Sequence, residues 1–327
     1  MRKKGLTIKD VAKKAGVGVG TVSRVLNNSP HVNPKTRMHV LKVIEELGYI
    51  PNPHARRLSS GHSGIITTIF PQMVGEFHQL LLMGIDRVLE NEGYTSFVYP
   101  LYSDNRYRFV KESSDFVLGT DGLIIDALNV DRLLSQYIPR NTPVVSLEYE
   151  SSNYDSVLVD NFYGGMLAGD YIASFEGEIF IVTHRPESEL ESTVFDERVN
   201  GFIESIERKG KKVSEIFEIP LDWLQAFNIA KGIFRRVKRS LIFAATDYFA
   251  FPIVEVARLL GLEGKKDFYL CGFDNLTLSN ILNITTIKQP IYEMGRMAGE
   301  ILLKRIKGYS RKPRAIVLKP ELIVRKT

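Results

Sequence analysis

The chain has 327 residues, of which 44% are hydrophobic and 25% charged, the composition of an ordinary globular protein long enough for two or three compact units. Its single cysteine, Cys271, excludes an internal disulfide and a multi-cysteine zinc site; no apolar run reaches the roughly 18 residues of a membrane span and no signal peptide opens the chain, so a cytoplasmic protein without a membrane partner is expected. The formal charge of +5 is unevenly placed: residues 1–62 hold twelve Lys or Arg against three Asp or Glu, which leaves the remainder net acidic and points to a polyanionic partner for the N-terminal segment alone.

That segment reads as three short helices. Thr7 caps the first, with Asp10 three residues on near the positive end of its dipole, and Ile8, Val11, Ala12 and Ala15 fall on one face. Ala15-Gly16-Val17 is small enough for a tight turn. A second helix runs from about Val19 to Asn27 with Val22, Val25 and Leu26 inward. Asn33-Pro34 opens a third, whose apolar face is Val40, Val43, Ile44 and Leu47 and which Gly48 stops. This is the pattern of a helix-turn-helix DNA reader. Its second helix would present Gly18, Val19, Gly20 and Thr21 to the major groove. Val19 suits a thymine methyl, the hydroxyl of Thr21 or Ser23 suits phosphate or a base, Gly20 permits close approach, and Arg24 reaches from one turn below. The glycine run GVGVG is not a nucleotide loop, because such loops follow a buried strand and this one follows an amphipathic helix.

The stretches TIKDVAKKAGV, TVSRVLN, KTR and LGYIPN, in this order and spacing, resemble the headpiece of the LacI/GalR family of bacterial repressors, and the resemblance continues in register to the C-terminus. It implies that Asn27, His31, Asn33 and Thr36 touch phosphates or their neighbours, and it adds Thr7 to the DNA-facing set. Ordinary loop capping is an equal reading for His31 and Asn33. Val19 and Gly20 occupy positions that vary with operator choice. Gly18 stands where a serine cap is usual, weakening that helix start by roughly a few tenths of a kcal/mol. Beyond it, the Pro-, Gly- and Ser-rich residues 51–63 read as a linker. The resemblance implies a hinge helix that folds on the operator, with Ala55 and Arg56 at the DNA and Leu58 wedged into the minor groove. A disordered linker is the plain alternative, and both hold if ordering is coupled to DNA.

From Gly64 short apolar strands alternate with helices. Strands are expected at 64–70, 95–99, 122–126, 143–147, 178–183, 241–245 and 268–273, with a last one near 315–325. Helices are expected at 76–91, 131–137, 163–174, 197–209, 225–237, 250–260 and 293–307. Repeated β then α implies parallel sheets covered on both faces. The expected class is a small all-α helix-turn-helix headpiece plus an α/β body. The resemblance makes that body two-lobed and periplasmic-binding-protein-like, with DNA-binding domain 1–50, linker 51–63 and effector and dimerisation domain 64–327. Lobe one would take about 64–161 and 289–318, and lobe two about 162–288 and 319–327. TTIKQP, at 285–290, would carry the last crossing between them.

Ligands of parallel sheets bind beyond the strand C-termini. That selects Phe70 with Phe77 after it, Asp126, Glu148, Thr246 and Asp274; the resemblance places Glu148, Arg198, Trp223, Thr246 and Asp274 in the effector cleft. A planar Arg and paired carboxylate oxygens suit vicinal hydroxyls, and an aromatic face suits a sugar ring or a purine. A sugar effector is therefore expected, with a purine or other metabolite as the alternative. Thr246 replaces an Asn common in the family, so one amide contact is lost. Plainer readings stand beside these: Arg198 and Asp274 as an ion pair, Trp223 as packing, Glu148 as a surface acid, Asp160-Asn161 as a structural motif. No HExxH, GxSxG or Walker pattern occurs, so neither metal, cofactor nor catalysis is expected. A glycosidase carboxylate pair and a plain sugar-binding protein are the rivals. Without a leucine-heptad tail the expected assembly is a homodimer, matching a pseudo-palindromic operator. The sequence thus reads as a repressor whose grip on operator DNA a small effector controls.

Overall fold

The computed structural model of the chain describes residues 6–49, 62–71, 75–101, 103, 105–106, 108, 110, 119–133, 142–186, 191 and 193–327. They fall into two compact units, Met1–Ser63 and Gly64–Thr327. Ala55, Arg56 and Leu58 lie outside the described residues.

The first unit holds α1 (Ile8–Ala15), α2 (Val19–Leu26) and α3 (Pro34–Leu47). The Asp10 carboxylate accepts the Thr7 backbone N–H at 2.8 Å and its hydroxyl at 2.7 Å, which holds the first turn of α1. Gly16 and Gly48 close α1 and α3 with φ of 63° and 58°, a conformation that costs a residue with a Cβ. Asn33 caps α3 by accepting the Lys35 N–H at 2.9 Å, with Pro34 at the first helical position. Val11, Ala12, Ala15, Val22, Val25, Val40 and Val43 form the core, and Ile8, Leu26, Ile44 and Leu47 are half-buried around it.

The second unit is two parallel-dominated sheets flanked by helices. The first sheet runs β11-β5-β4-β3-β1-β2, all pairs parallel, from β1 (Ile65–Phe70), β2 (Thr95–Pro100), β3 (Gly122–Asp126), β4 (Val144–Leu147), β5 (Asp155–Val159) and β11 (Ala315–Leu318). Its central strands β1, β3 and β4 are apolar on both sides because both are covered. Ile66, Ile124, Val145 and Val157 meet α4 (Gly75–Asn91) and α11 (Ile291–Ile306) through Leu81, Ile85, Met294, Ala298 and Leu302. Ile69, Leu123, Ile125 and Val144 point the other way, to Leu101, Val110, Leu128 and the short α5 (Val130–Leu133).

The second sheet runs β12-β10-β9-β8-β6-β7, from β6 (Glu178–His184), β7 (Val213–Ile219), β8 (Ser240–Ala244), β9 (Phe268–Asp274), β10 (Thr285–Lys288) and β12 (Glu321–Ile323). Only the β10–β12 pair is antiparallel. One face meets α6 (Asn161–Ala173) and α7 (Val194–Arg208) through Ala168, Ile172, Phe202 and Ile206. The other meets α8 (Trp223–Arg236) and α9 (Asp247–Leu259) through Ala226, Ala230, Phe249 and Ile253, and α10 (Thr277–Ile281) follows β9.

Glycines bring one helix pair of each lobe unusually close. A Cβ on Gly84 would lie 2.1 Å from the Tyr292 carbonyl oxygen, and one on Gly295 would lie 2.1 Å from that of Leu81, so α4 and α11 touch backbone to backbone. Likewise Gly165 faces the Arg198 carbonyl oxygen at 2.1 Å and Gly201 that of Phe162 at 2.0 Å, joining α6 to α7.

The chain passes between the sheets at β5–α6, at β10–α11 and at β11–β12. TTIKQP is therefore the second crossing rather than the last. The final crossing is at Lys319-Pro320, where Pro320 cannot donate to a ladder and the single strand expected over 315–325 breaks into two, one in each sheet.

Candidate functional sites: a helix-turn-helix face and a cleft between two sheets

On the first unit, Val19 is 41% exposed although it opens a helix whose Val22 and Val25 are buried, and Gly18, Gly20 and Arg24 lie beside it on the surface. Gly18 makes no side-chain cap for α2. Thr21 and Ser23 are half-buried, and Arg24 folds back to donate to the Gly20 carbonyl at 3.1 Å. Asn27, His31 and Asn33 are exposed and Thr36 is half-buried. Arg37, which sequence reasoning passed over, holds the loop between α2 and α3 by donating to Asn28 Oδ1 at 2.7 Å and to the Ser29 carbonyl. With Lys9, Lys13, Lys14, Lys35 and Lys42 all exposed, the unit presents a basic surface, and Leu6, Met38 and Leu41 are exposed on it as well as Val19.

On the second unit, the C-terminal edges of both sheets open on one cavity of about 440 Å³. Asp126 ends β3, Glu148 follows β4, His184 ends β6, Thr246 follows β8 and Asp274 ends β9, and all line it. Ala127, Glu148 and Asp274 adopt φ of 48°, 54° and 124°, left-handed conformations unfavourable to side chains and held here by the surrounding bonds.

Arg198 is the centre of the polar network. Its Nε donates to Asn161 Oδ1 at 2.8 Å, its Nη1 donates to the Ala245 carbonyl at 2.9 Å and lies 3.7 Å from Asp274, and the guanidinium is sandwiched by Phe195 and Phe273, at 5.0 and 4.0 Å from the ring centroids. Asn161 in turn donates to Glu148 at 3.0 Å, whose other oxygen accepts the Val159 N–H at 2.8 Å. Asp274 accepts from Thr246 at 2.7 Å, from the Asp247 N–H at 3.3 Å and from Gln289 at 2.6 Å. Asp126 is different. One oxygen lies 3.7 Å from His78 Nε2, and the other is buried with no hydrogen-bond partner among the described residues. An unmade bond at a buried carboxylate is expensive, so this is where a ligand donor gains most.

Burial drives the titration of these acids. It pushes the Asp126 carboxyl well up, with the Glu148 charge adding to it. It also raises Glu148 and Asp274, against the opposing pull of Arg198 on both. Asp247, beneath Asp274, is pushed to about 7 by burial and by that neighbour's charge, despite bonds from Ser279, Thr286 and the Leu276 N–H. Each such group is protonated more readily in the folded chain than in the unfolded one. Stability therefore falls as pH rises from the ordinary carboxyl value of 3.8 through the raised one, at about 7 for Asp247. Lowering the pH from about 8 to about 6 should raise the melting temperature in scanning calorimetry, by roughly 2–4 °C per kcal/mol of coupling. A melting temperature that drops over that interval contradicts the assignment.

Comparison with known proteins fits this geometry. Residues 7–52 match the bacterial regulatory proteins of the lacI family and residues 178–327 match the periplasmic binding protein-like domain. The ribose operon repressor of Bacillus subtilis strain 168 is 30% identical over 324 residues, covering 98% of each chain. The chain belongs to the LacI family. Among solved structures, a probable transcription regulator from Thermus thermophilus is 30% identical with a TM-score of 0.69, covering 80% of this chain and 96% of its own. The lac repressor dimer bound to operator and the anti-inducer ONPF superposes with a TM-score of 0.79 at 23% identity over 99% of both chains, a likeness of fold.

Within this LacI-family cleft, Phe77, Asp126, Glu148, Arg198, Trp223, Thr246 and Asp274 come together on one cavity. Phe70 does not. It ends a central strand covered on both faces, is fully buried, and reaches the site only through an edge contact with His78 at 5.0 Å between ring centroids, while Pro71 lines the wall instead. Trp223, 43% exposed, opens α8 at the cavity rather than packing in the core. Sequence reasoning missed His78, His184, Glu191 and Tyr248. His184 bonds Glu191 at 3.1 Å, and Glu191 bridges the backbone of Leu128 across the cleft. Glu76 of α4 accepts the Thr277 N–H at 2.9 Å and its hydroxyl at 2.6 Å, a second tie between the lobes. No group of three or more His, Cys, Asp or Glu among the described residues has metal-ligating geometry, and no described helix is long and apolar enough to cross a membrane.

Proposed function

We propose that this LacI-family regulator is a cytoplasmic, operator-specific repressor that acts as a homodimer and is switched by a sugar held between its lobes. The observation that carries the reading is the cleft itself: a buried, unsatisfied Asp126 oxygen, the Arg198 guanidinium and the rings of Phe77 and Trp223 line one cavity. Hydroxyls supply both donor and acceptor, and the C–H face of a pyranose or furanose suits the rings. The name of the Bacillus subtilis ribose operon repressor agrees with a sugar, and the similarly related PurR repressors of Aliivibrio and Vibrio keep a purine or other metabolite as the alternative. On the headpiece, Thr7, Val19, Gly20, Thr21, Ser23, Arg24, Asn27, His31, Asn33 and Thr36 are assigned to DNA, with Ala55, Arg56 and Leu58 of the linker, and the two-fold dimer meets two half-sites. The cleft binds and signals; this reading assigns it no catalytic step.

Effector and operator then alter each other's affinity by one common factor. Operator affinity measured by fluorescence anisotropy, with and without each sugar of a panel, tests the switch; an operator affinity that no sugar changes, while one of them binds, removes it. The basic headpiece also sets an expectation for salt. Affinity for operator duplex should fall on the order of a thousandfold between about 50 and 200 mM salt, from release of condensed counterions. A flat salt response would remove the DNA assignment.

A further inference from the structure

We propose that the cleft selects a hydroxyl-rich ligand without negative charge and turns away phosphorylated and carboxylate-bearing ones, because the chain has placed its own carboxylates at the helix ends an anion would use. This rests on the reading of the cleft as the effector site.

Four helices of eight residues or more begin at the cavity or one residue from its lining: α4 at Gly75, α7 at Val194, α8 at Trp223 and α9 at Asp247. Free N–H groups and the positive dipole end make a helix N-terminus a ready anion site, and several aimed at one cavity would favour a phosphate. Here the positions are filled from within. Asp274 takes the first N–H of α9 at 3.3 Å, and Asp222 takes the Gln225 N–H of α8 at 2.9 Å. Glu76 sits in the first turn of α4 and spends both oxygens on Thr277 of α10. Asp196 and Glu197 occupy the first turn of α7.

The side chains agree. Glu76, Asp126, Glu148, Glu191 and Asp274 line the cavity, and Arg198 is its one Lys or Arg among the described residues. The Arg198 charge is already shared by Asp274 and Glu148. His78 and His184 each stand beside a carboxylate, at 3.7 and 3.1 Å. An incoming anion would face more negative than positive charge in a half-enclosed site where charges are weakly screened. What the cavity leaves open is Asp126 Oδ1, buried and without a hydrogen-bond partner among the described residues, which a neutral hydroxyl can meet as donor or as acceptor without bringing a further charge.

The test is calorimetric titration of the full-length protein with pentoses, hexoses and disaccharides, each paired with its phosphate or aldonic acid: ribose with ribose 5-phosphate, glucose with glucose 6-phosphate and gluconate. A neutral member should bind, and its anionic partner should bind more weakly by on the order of 30-fold or more. Glu76→Gln, at a half-buried position in the first turn of α4, should narrow that ratio about fivefold. An anionic member binding as tightly as its neutral partner overturns the inference and leaves the effector reading standing. A ratio unmoved by Glu76→Gln also overturns it. If no member of any pair binds, this inference and the sugar-effector reading fall together.

Discussion

Arg198→Ala should unsettle the fold as well as silence the effector response. The guanidinium is buried between two rings and neutralises Asp274 and Glu148, both buried. Removing one partner of a buried ion pair leaves the other desolvated and unpaired, which costs about 3–5 kcal/mol. In a unit of this size that is a fall in melting temperature of roughly 6–20 °C. The loss should depend on pH in a defined sense. Without Arg198 the two carboxyls titrate still higher in the folded chain, so the variant should regain more stability than the parent as pH is lowered from about 8 to about 5. Melting curves of both proteins across that range decide the matter. A variant that melts within about 2 °C of the parent at pH 8 would show that the guanidinium does not hold these acids. Arg198→Lys keeps the charge but loses the fork that reaches Asn161 and Ala245 together, and should fall between the two.

Gly201→Ala is the second large effect. The added Cβ would sit 2.0 Å from the Phe162 carbonyl oxygen and 3.1 Å from the Met166 nitrogen. Both are backbone atoms, so no side chain can swing aside, and α6 and α7 must part along their length. Overpacking of this kind costs about 3 kcal/mol or more. Because Gly165 meets the Arg198 carbonyl on the same seam, parting the helices also shifts Arg198 from its partners. Gly232→Ala is the control. It lies in the exposed interior of α8 with open space around it, so the same chemical change should stabilise by about 0.5–1 kcal/mol. Denaturant melts of the two variants should move in opposite directions. Equal and small shifts would mean that the helices are not pressed together as the structure has them.

How far sequence reasoning reaches depends on how local the signal is. The headpiece was legible almost to the residue, because Asn33-Pro34, Gly16 and Gly48 act on their own turns. The buried strands β1, β3, β6, β8 and β9 stood out as short apolar runs. β7 was missed although its burial alternates in VSEIFEI, as an edge strand with one wet face should. β5 was missed because DSVLV begins with an Asp and a Ser; Asp155 is buried with Arg305 from the far end of α11 donating to it at 2.6 Å and the Arg314 N–H at 3.1 Å. In the cleft, acids at strand ends could be found from topology alone. His184, directly after the strand expected at 178–183, was within reach of the same rule and was passed over; His78 lies within a helix, and its place beside Asp126 is set by tertiary approach. Phe70 misled because position after a strand start says nothing about whether the last residue of a central strand is covered.

Asn161 and Gln289 sit in the connecting segments where the polypeptide leaves one lobe for the other. The first spends its amide on Glu148 and Arg198, and the second on Asp274. One helix pair of each lobe packs backbone against backbone, whereas the lobes are joined by three single crossings of the chain, of which these are two. Glu148, Arg198 and Asp274 of the cavity lining are thus bonded to the crossing segments themselves, so a solute that competed for those bonds would act on the crossings with no intermediary.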